Sequence, residues 1–288
     1  MGAASIIVFL ALPAIVAGLL ARRLVRLRIA RLWVANVRGL RVPVILGFAL
    51  WVGWASAVVG ALGVLALERR WSPEATVLVL VAALWTAVAA VGFVDDLASG
   101  GPRGLRSHLA SLVHGRPTTG ILKVGVIVLA ALAAAALVAG DGGPVRILAA
   151  AVAIAGCANV WNGLDVSPGR AGKWFLVVAI GVLIAGPRSV AWPLLLILTG
   201  AEAALVVFDV RERGMLGDLG SNLLGFAIGT QVAAALPTWP LVAAAVLVVV
   251  LNVVAETVTF SSIIGVVPPL RWFDRLGRRP PGPISSPN

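Results

Sequence analysis

The sequence predicts an all-α protein built as a polytopic transmembrane helical bundle of about nine spans. Of its 288 residues, 60% are hydrophobic and only 12% are charged, whereas soluble domains carry about 25% charged residues. The mean hydropathy is +1.03, and the apolar residues form runs of the roughly 20 residues that cross a bilayer as a helix. This composition excludes a soluble enzyme, a secreted disulfide-rich domain and a disordered chain.

Nine apolar segments are predicted in order along the chain. The first seven cover residues 3–21, 42–67, 75–94, 118–140, 147–164, 174–187 and 189–208. The run 219–255 is too long for one crossing, and Pro237 and Pro240 divide it into an eighth and a ninth helix.

The basic residues predict the orientation of the bundle. Nineteen of the 23 Lys and Arg residues fall in or beside alternate loops and in the C-terminal tail, on one predicted side. The other side has only Arg69, Arg70, Arg146 and Arg188. Because basic loops stay in the cytoplasm, the N-terminus is predicted outside and the C-terminus inside the cell membrane. The net charge of +11 is therefore interpreted as a sign that basic loops contact membrane lipid, and not as a sign of nucleic-acid binding.

Aspartates gather at the predicted cytoplasmic ends of the helices. The five are Asp95, Asp96, Asp165, Asp209 and Asp218. Acidic residues at membrane borders are costly and usually functional, and oxygen-rich acidic clusters suit Mg²⁺. The adjacent carboxylates of Asp95 and Asp96 repel each other, so a cationic partner is expected. Each aspartate alone is also compatible with a helix cap, and Asp209 is expected to form a salt bridge with Arg211 or Arg213.

A glycine-rich turn is predicted where the eighth helix begins. In the run 217–222, Gly217 and Gly220 flank Asp218 and precede Ser221. Glycines let backbone N–H groups approach a ligand, and a helix N-terminus favours phosphate. Ser221 is equally compatible with an ordinary N-cap.

Other polar residues lie near the same predicted membrane border. Asn159, Asn162 and Asp165 recur every three residues, which places them on one face at the end of the fifth helix. Asparagine in an apolar run needs a ligand or another helix as its partner. Lys123 can either extend to the membrane surface or pair with a phosphate. His108 and His114 are predicted to be solvated loop residues, because no carboxylate lies at metal-ligand spacing from them.

At these residues the sequence resembles a known family of membrane enzymes. Residues 92–96 (GFVDD) look like a paired-aspartate motif, residues 159–165 (NVWNGLD) like an Asn-x-x-Asn-x-x-Asp motif, and residues 217–221 (GDLGS) like a Gly-Asp-x-Gly-Ser motif. Their order and common side are those of the polyprenyl-phosphate N-acetylhexosamine-1-phosphate transferases, the superfamily that includes phospho-N-acetylmuramoyl-pentapeptide transferase. The resemblance covers the second to the ninth predicted helix.

The resemblance implies the transfer of a sugar 1-phosphate from a UDP-sugar to polyprenyl phosphate, with Mg²⁺ as cofactor and release of UMP. The product would begin a lipid-linked precursor of a cell wall or polysaccharide, and a homodimer is also suggested. By position, Asp218 would hold the metal and Asp95 would contact or deprotonate the lipid phosphate, with Asp96 supporting metal and phosphates. The remaining implied site residues, assigned to substrate binding, are Asn159, Asn162, Asp165, Lys123 and Ser221. Residues 1–267 would form the transmembrane catalytic domain, and 268–288 a basic, Pro-rich cytoplasmic tail in which Asp274 forms an ion pair.

The chain departs from the family pattern where the nucleotide-sugar is recognised. Pro168 stands where the family has a second aspartate, and Met215 stands where it has an aromatic residue that stacks on uracil. The histidine-rich loop late in the family has no counterpart. These departures indicate a divergent member whose donor recognition has changed.

Two alternatives are compatible with the sequence. One is a non-catalytic membrane protein that binds polyprenyl phosphate and has lost the donor site. The other is a CDP-alcohol phosphotransferase, because the run 141–146 (DGGPVR) nearly matches the start of that family's motif. The later aspartates of that motif are missing, and Asp141 is predicted on the outer side, which favours a simple turn.

Overall fold

The computed structural model describes residues 3–27, 29–98 and 118–278, and it is 79% helical. The all-α bundle predicted from composition is therefore confirmed. Nine long helices correspond to the nine predicted segments. They are α1 (Ala3–Leu24), α2 (Leu46–Leu67), α3 (Pro73–Leu97), α4 (Thr119–Val138), α5 (Gly143–Leu164), α6 (Arg170–Ala185), α7 (Trp192–Val210), α8 (Gly217–Ala235) and α9 (Thr238–Thr257).

Proline marks the division predicted within the run 219–255. Helix α8 ends at Ala235, Pro237 is extended with φ −61° and ψ 165°, and α9 begins at Thr238. Pro240 lies in the first turn of α9, where its missing N–H would have no intrahelical partner in any case. The predicted split is therefore confirmed.

Seven of the nine helices are long and apolar enough to cross a membrane: α1 to α5, α7 and α9. Helix α6 has only 16 residues, which reach about 24 Å against a bilayer core of about 30 Å. Helix α8 contains several polar residues but is surrounded by protein, so it does not need an apolar outer surface. That all nine helices cross the membrane, and in which orientation, stays a prediction.

Short elements not predicted from the sequence occupy two connecting regions. A 3₁₀ turn (Ala30–Leu32) leads into an antiparallel hairpin of β1 (Trp33–Ala35) and β2 (Arg41–Pro43), in which Val34 pairs with Val42. After α9, two short helices follow, α10 (Phe260–Val266) and α11 (Pro268–Arg275). Both regions lie at the end of the bundle where α3 finishes and α8 starts.

Helix α8 is the centre of the bundle. It packs against each of α2 to α7, and 14 of its 19 residues are buried. Small residues make this possible. A Cβ at Gly225 would lie 2.7 Å from the Cα of Ala158 on α5, so only glycine allows the two backbones to approach this closely. The position of α8 places Asp218 where several helix ends meet.

Candidate active site

Backbone N–H groups at the start of α8 are held by carboxylates from two other helices. Asp165, which follows α5, accepts the Gly217 N–H at 2.9 Å. Asp96, near the end of α3, accepts the N–H groups of Asp218 at 2.9 Å and Leu219 at 3.1 Å. The first N–H groups of a helix have no intrahelical partner, and negative charge is favourable there. Two predicted site residues therefore fix the backbone that carries Asp218.

Close helix packing lets Asp96 reach this turn. A Cβ at Gly92 would lie 2.8 Å from the Cα of Leu219, so any larger residue would push α3 away from α8. Gly217 has φ +70°, a backbone conformation that favours glycine. The two glycines of the predicted motifs thus have separate local roles, one in packing and one in the turn.

The side chain of Asp218 meets Asp95 through one shared cation. The Lys123 Nζ lies 2.6 Å from Asp218 Oδ2 and 2.7 Å from Asp95 Oδ2. The Thr119 hydroxyl, one turn before Lys123 on α4, donates to Asp95 Oδ1 at 2.6 Å. The expectation that the aspartate pair has a cationic partner is confirmed for Asp95. Three helices, α3, α4 and α8, each contribute a charged group to this point.

Solvent can reach this charged group. The side chains of Lys123, Asp95 and Asp218 retain 15%, 16% and 26% of their full exposure. Each is largely desolvated, which strengthens the attraction between the charges. The remaining exposure leaves an approach for a ligand from the end of the bundle.

The two asparagines predicted beside Asp165 have different partners. Asn162 donates to the Asn222 side chain on α8 at 3.3 Å, and Asn222 donates to the Asp218 carbonyl at 2.6 Å. Asn159 donates instead to Asn252 on α9, away from the turn that carries Asp218. The structure therefore brings Asn162 to the aspartate cluster and gives Asn159 a contact between helices.

Sequence reasoning assigned no role to Asn222 or Thr119. Each lies four residues from a predicted site residue on the same helix, Asn222 after Asp218 and Thr119 before Lys123. Side chains four residues apart lie on the same face of a helix. That spacing is the signal that could have identified both.

Ser221 does not contact the open part of the cluster. It is fully buried, and its hydroxyl donates to the Gly217 carbonyl at 2.8 Å within the same turn of α8. The hydroxyl is therefore used inside the helix. This placement supports a local structural role for Ser221 and not the substrate contact expected from the sequence.

Burial distinguishes Asp165 and Asp209 from solvated loop residues. Burial, reinforced by the nearby charge of Asp209, raises the pKa of Asp165 well above its usual range. Asp209 is only 2% exposed, and it forms no salt bridge with Arg211 or Arg213, all three of which the structure describes. The expected salt bridge is wrong, because the end of α7 buries the carboxyl inside the protein.

The β-hairpin supports the loop that leads to Asp218. Met215 donates its N–H to the Pro43 carbonyl at 2.9 Å, and Leu46 donates to the Met215 carbonyl at 3.0 Å. Glu212, in the same loop, accepts hydrogen bonds from Asn36 and Arg38 of the hairpin. The first predicted cytoplasmic loop is thus part of the frame around the site.

The described part of the tail docks beside the site through Asp274. Arg170, the first residue of α6, donates to both Asp274 oxygens at 2.8 and 3.2 Å. Arg278 pairs with the same carboxylate at 2.7 Å. The predicted ion pair of Asp274 is confirmed, and it joins the tail to α6.

Several residues considered in the sequence lie outside the described residues. These are His108, His114, Arg28, Arg103, Arg106, Arg116, Arg279 and the segment 280–288. Asp141, in contrast, is an exposed residue between α4 and α5. It lies at the opposite end of α4 from Lys123, so it is not part of the aspartate cluster.

The donor groups at the cluster fit Mg²⁺. Asp95 and Asp218 direct one carboxylate oxygen each at a single cationic point, which Lys123 takes in this structure. No group of three or more His, Cys, Asp or Glu side chains suited to a metal is found between residues 3 and 278, leaving out 28 and 99–117. Mg²⁺ is commonly held by one or two carboxylates together with substrate phosphates, so two carboxylates are sufficient.

Fold and site together place a partly exposed cluster of aspartates and one lysine at one end of a bundle of long apolar helices. The family model for glycosyl transferase family 4 matches residues 77–236, more than half of the chain. The chain belongs to this family, which includes phospho-N-acetylmuramoyl-pentapeptide transferase and related polyprenyl-phosphate hexose-1-phosphate transferases. No curated protein matches the chain. The matched region contains Asp95, Asp96, Lys123, Asp165 and Asp218.

Membership supports a multi-pass membrane enzyme that transfers a sugar 1-phosphate to polyprenyl phosphate. The substrates it implies are a sugar donor and polyprenyl phosphate. A cluster that combines carboxylates with one lysine ammonium is chemically suited to such substrates when a divalent cation is present.

Proposed function

We propose that this protein transfers a sugar 1-phosphate from a UDP-sugar to polyprenyl phosphate at the cytoplasmic face of the cell membrane, in an Mg²⁺-dependent reaction. An oxygen of the lipid phosphate attacks the β-phosphorus of the donor, and the bond from that phosphorus to the bridging oxygen breaks. The products are a polyprenyl diphosphate sugar and UMP. The observation that carries the proposal is the convergence of Asp95 and Asp218 on Lys123 within the family-matched region.

Asp218 and Asp95 are the residues that would hold Mg²⁺. When bound, the ion would neutralise charge on the donor diphosphate. Asp96 and Asp165 keep Asp218 in place by accepting the N–H groups at the start of α8. Since phosphoryl transfer depends mainly on positioning and charge neutralisation, a rigid turn under Asp218 contributes directly to the reaction.

Lys123 is suited to the acceptor phosphate, and Asp95 would act on that phosphate through the Mg²⁺ that it would hold. A phosphate monoester has a second pKa of about 6, so it is already anionic at neutral pH and no base is required to activate it. We therefore assign Asp95 to positioning, with Thr119 fixing its carboxylate. The Lys123 ammonium, released from one carboxylate when Mg²⁺ binds, would pair with a substrate phosphate.

Donor recognition is the part that we expect to differ from relatives. Asn162 and Asp165 lie beside Asp218 and support a donor site at this place. Met215 has its backbone fixed by the hairpin, and a thioether packs against a base without the stacking that an aromatic ring provides. Weak uracil contact would make the sugar and diphosphate the main determinants of binding.

The test is UMP release by the purified protein in detergent. Undecaprenyl phosphate and Mg²⁺ are supplied with a panel of UDP-sugars, and UMP is measured by chromatography. We expect UMP only when lipid, metal and one class of donor are all present. UMP formation without lipid, or no UMP with any donor despite measurable polyprenyl-phosphate binding, would contradict the proposed transfer and favour a lipid-binding protein without catalysis.

A further inference from the structure

An apolar groove lies at the end of the bundle opposite the aspartate cluster. It has a volume of about 530 Å³ and is lined by the early turns of α1, α3 and α7 and the last turns of α2. Its apolar walls include Phe9, Leu62 and Ile197. Val8 and Val64 also line it and are both 53% exposed, so the groove is open along its length to the surroundings of the bundle.

A smaller, mostly apolar cavity that also carries charged residues lies next to this groove, towards the loops. Its volume is about 370 Å³, and it shares Leu65, Leu78 and Pro193 with the groove. Its charged lining consists of Arg70, Arg188 and Glu74. The two cavities are thus neighbours, and together they place charged residues beside an apolar groove.

The charged groups of the smaller cavity are accessible to a ligand. Arg188 lies 5.5 Å from the centre of the Trp192 ring. Among the residues that the structure describes, neither Arg188 nor Glu74 forms a salt bridge, and the exposed Glu74 carboxylate has a hydrogen bond with Ser72. Arg70 contacts Glu68 at 3.3 Å, but these side chains are 73% and 52% exposed, and such surface pairs are weak. A ligand phosphate would therefore face two guanidinium groups, with the carboxylates of Glu74 and Glu68 nearby.

The dimensions match the upper part of one membrane leaflet. On α2 the groove runs from Val58 to Leu65, which is about 10 Å of helix. The hydrocarbon core of a bilayer is about 30 Å thick, so the groove covers the first part of a lipid chain. The smaller cavity lies next to the turn between α2 and α3, where a lipid head group would be.

We propose that this site binds one glycerophospholipid with an ammonium-bearing, zwitterionic head group of the phosphatidylethanolamine type. Its phosphate pairs with Arg70 and Arg188, its ammonium pairs with Glu74, and an acyl chain fills the apolar groove. Charge complementarity selects this occupant, because a lining with both guanidinium and carboxylate groups matches a head group that carries both signs. The site is separate from the proposed reaction, since it lies at the other end of α2 and α3.

Native mass spectrometry of the detergent-purified full chain tests the proposal with three lipids of equal acyl chains. Phosphatidylethanolamine has an ammonium with N–H donors, phosphatidylcholine has a methylated ammonium, and phosphatidylglycerol has no cation. We expect the first to bind at least about fivefold more tightly than the others, a difference of about one hydrogen-bonded charge pair. Equal affinity for all three lipids would overturn the proposal, as would displacement of phosphatidylethanolamine by undecaprenyl phosphate at equal concentration.

Variants locate the bound lipid. The double variant Arg70→Gln with Arg188→Gln should weaken all three lipids, and Arg69→Gln, in the same turn but outside the cavity lining, should not. Glu74→Gln should remove the preference for phosphatidylethanolamine over phosphatidylglycerol. Ala61→Phe should block the groove, with Ala66→Phe, outside the lining of the groove on α2, as its control. Equal effects of the site and control variants would place the lipid elsewhere.

Discussion

The two ends of α8 use the same physical device with different consequences. At the start, carboxylates of Asp96 and Asp165 accept three backbone N–H groups. At the other end, the guanidinium of Arg146 donates to the carbonyls of Ala233 and Leu236, and also to Ala139 at the end of α4. Both arrangements satisfy helix ends that have no partner of their own. Only the first places a further carboxylate, that of Asp218, beside a cation that a substrate can reach.

Charge inside this bundle is therefore not by itself a sign of catalysis. Asp96 accepts hydrogen bonds from two backbone N–H groups, and Arg146 donates to three backbone carbonyls. Asp218 differs because its backbone is held by others while its side chain meets Lys123 and Asp95 across helices. The Asp218 side chain is available to a ligand because Asp96 and Asp165, and not Asp218 itself, accept the N–H groups at the start of α8.

The sharpest way to test this distinction is Asp218→Asn. The change keeps the shape of the side chain and the backbone contacts to Asp96 and Asp165, but it removes the charge that would hold Mg²⁺. We expect UMP release to fall by about 10³-fold or more, with little change in thermal stability. Asp141→Asn, at the exposed opposite end, should keep full activity. Normal turnover of Asp218→Asn would remove Asp218 from the metal site.

A change at the C-terminal end of α8 should lower the stability of the protein but not its catalytic rate. Arg146→Gln removes charged hydrogen bonds to three carbonyls from two helix ends. Hydrogen bonds to charged groups contribute about 1.5–3 kcal/mol each and are not additive, so we expect a loss of about 3 kcal/mol in the free energy of unfolding. Thermal unfolding in detergent measures it. Arg69→Gln is the matched control, and a loss of kcat in folded Arg146→Gln would contradict the contrast between the two ends.

Lys123→Gln tests whether the ammonium group between Asp95 and Asp218 contributes to the reaction. Without the ammonium, Asp95 and Asp218 lose their shared partner and repel each other, while substrate phosphate loses a positive contact. We expect UMP release to fall about 100-fold, with part of the loss recovered at higher Mg²⁺ because a second cation can relieve the repulsion. A rate that stays normal at every Mg²⁺ concentration would show that Lys123 does not act on substrate.

The C-terminal end of α11 is a third helix end whose carbonyls are satisfied by a charged side chain. Lys173 donates to the carbonyls of Phe273, Asp274 and Leu276 there, and Asp274 pairs with Arg170. Asp274→Asn keeps the shape but removes the charge of this pair. We expect the docking of residues 268–278 to weaken by about 2 kcal/mol, seen as faster amide hydrogen exchange in that segment.

The same pair predicts a pH dependence. Burial opposes ionisation of Asp274, but hydrogen bonds and charge from Arg170 hold its pKa below the usual 3.8. A carboxyl whose folded-state pKa is lowered stabilises the docked state above its usual pKa, and this stabilisation is lost as the pH falls through the lower value. Exchange in residues 268–278, corrected for its intrinsic pH dependence, should therefore increase in acid. The Asp274→Asn protein should lack this increase.

The smallest expected difference separates the two carboxylates that hold α8. Asp96 accepts two N–H groups, one on each oxygen, whereas Asp165 accepts one. Asparagine keeps one acceptor oxygen, so Asp165→Asn can retain its bond and Asp96→Asn must lose one. We expect kcat about tenfold lower for Asp96→Asn than for Asp165→Asn, since one charged hydrogen bond contributes about 1.5 kcal/mol or more. Equal kcat values would mean that neither acts through the backbone of α8.

Much of the site could be predicted because polar residues stand out in an apolar chain. Asp95, Asp96, Asp165 and Asp218 were singled out by their place at helix ends, and Lys123 by its place near the membrane border and by the family resemblance. Their separate tasks were not, because a carboxylate that accepts backbone N–H groups and one that pairs with a lysine have the same sequence signal. Ser221 shows the limit, since a buried hydroxyl bonded within its own turn looks the same in the sequence as one that faces a ligand.

The asparagines of α5 show why register on a helix is not enough. Residues three apart differ by about 60° around the axis and by about 4.5 Å along it. That offset lets Asn162 meet α8 while Asn159 meets α9. Helix packing decides which neighbouring helix each side chain contacts, and the three-residue spacing in the sequence does not predict that contact.

By itself, the sequence determined that this chain forms a helical membrane bundle, where its helices divide, and which acidic residues lie near one border. These features follow from local hydropathy and from proline geometry, which act over a few residues. Tertiary structure alone decided that α8 is central, that Asp96 and Asp165 hold its first turn, and that Lys123 joins Asp95 to Asp218. The physical reason is that these contacts join residues up to 123 positions apart, and their geometry depends on how closely the glycines let the helices approach.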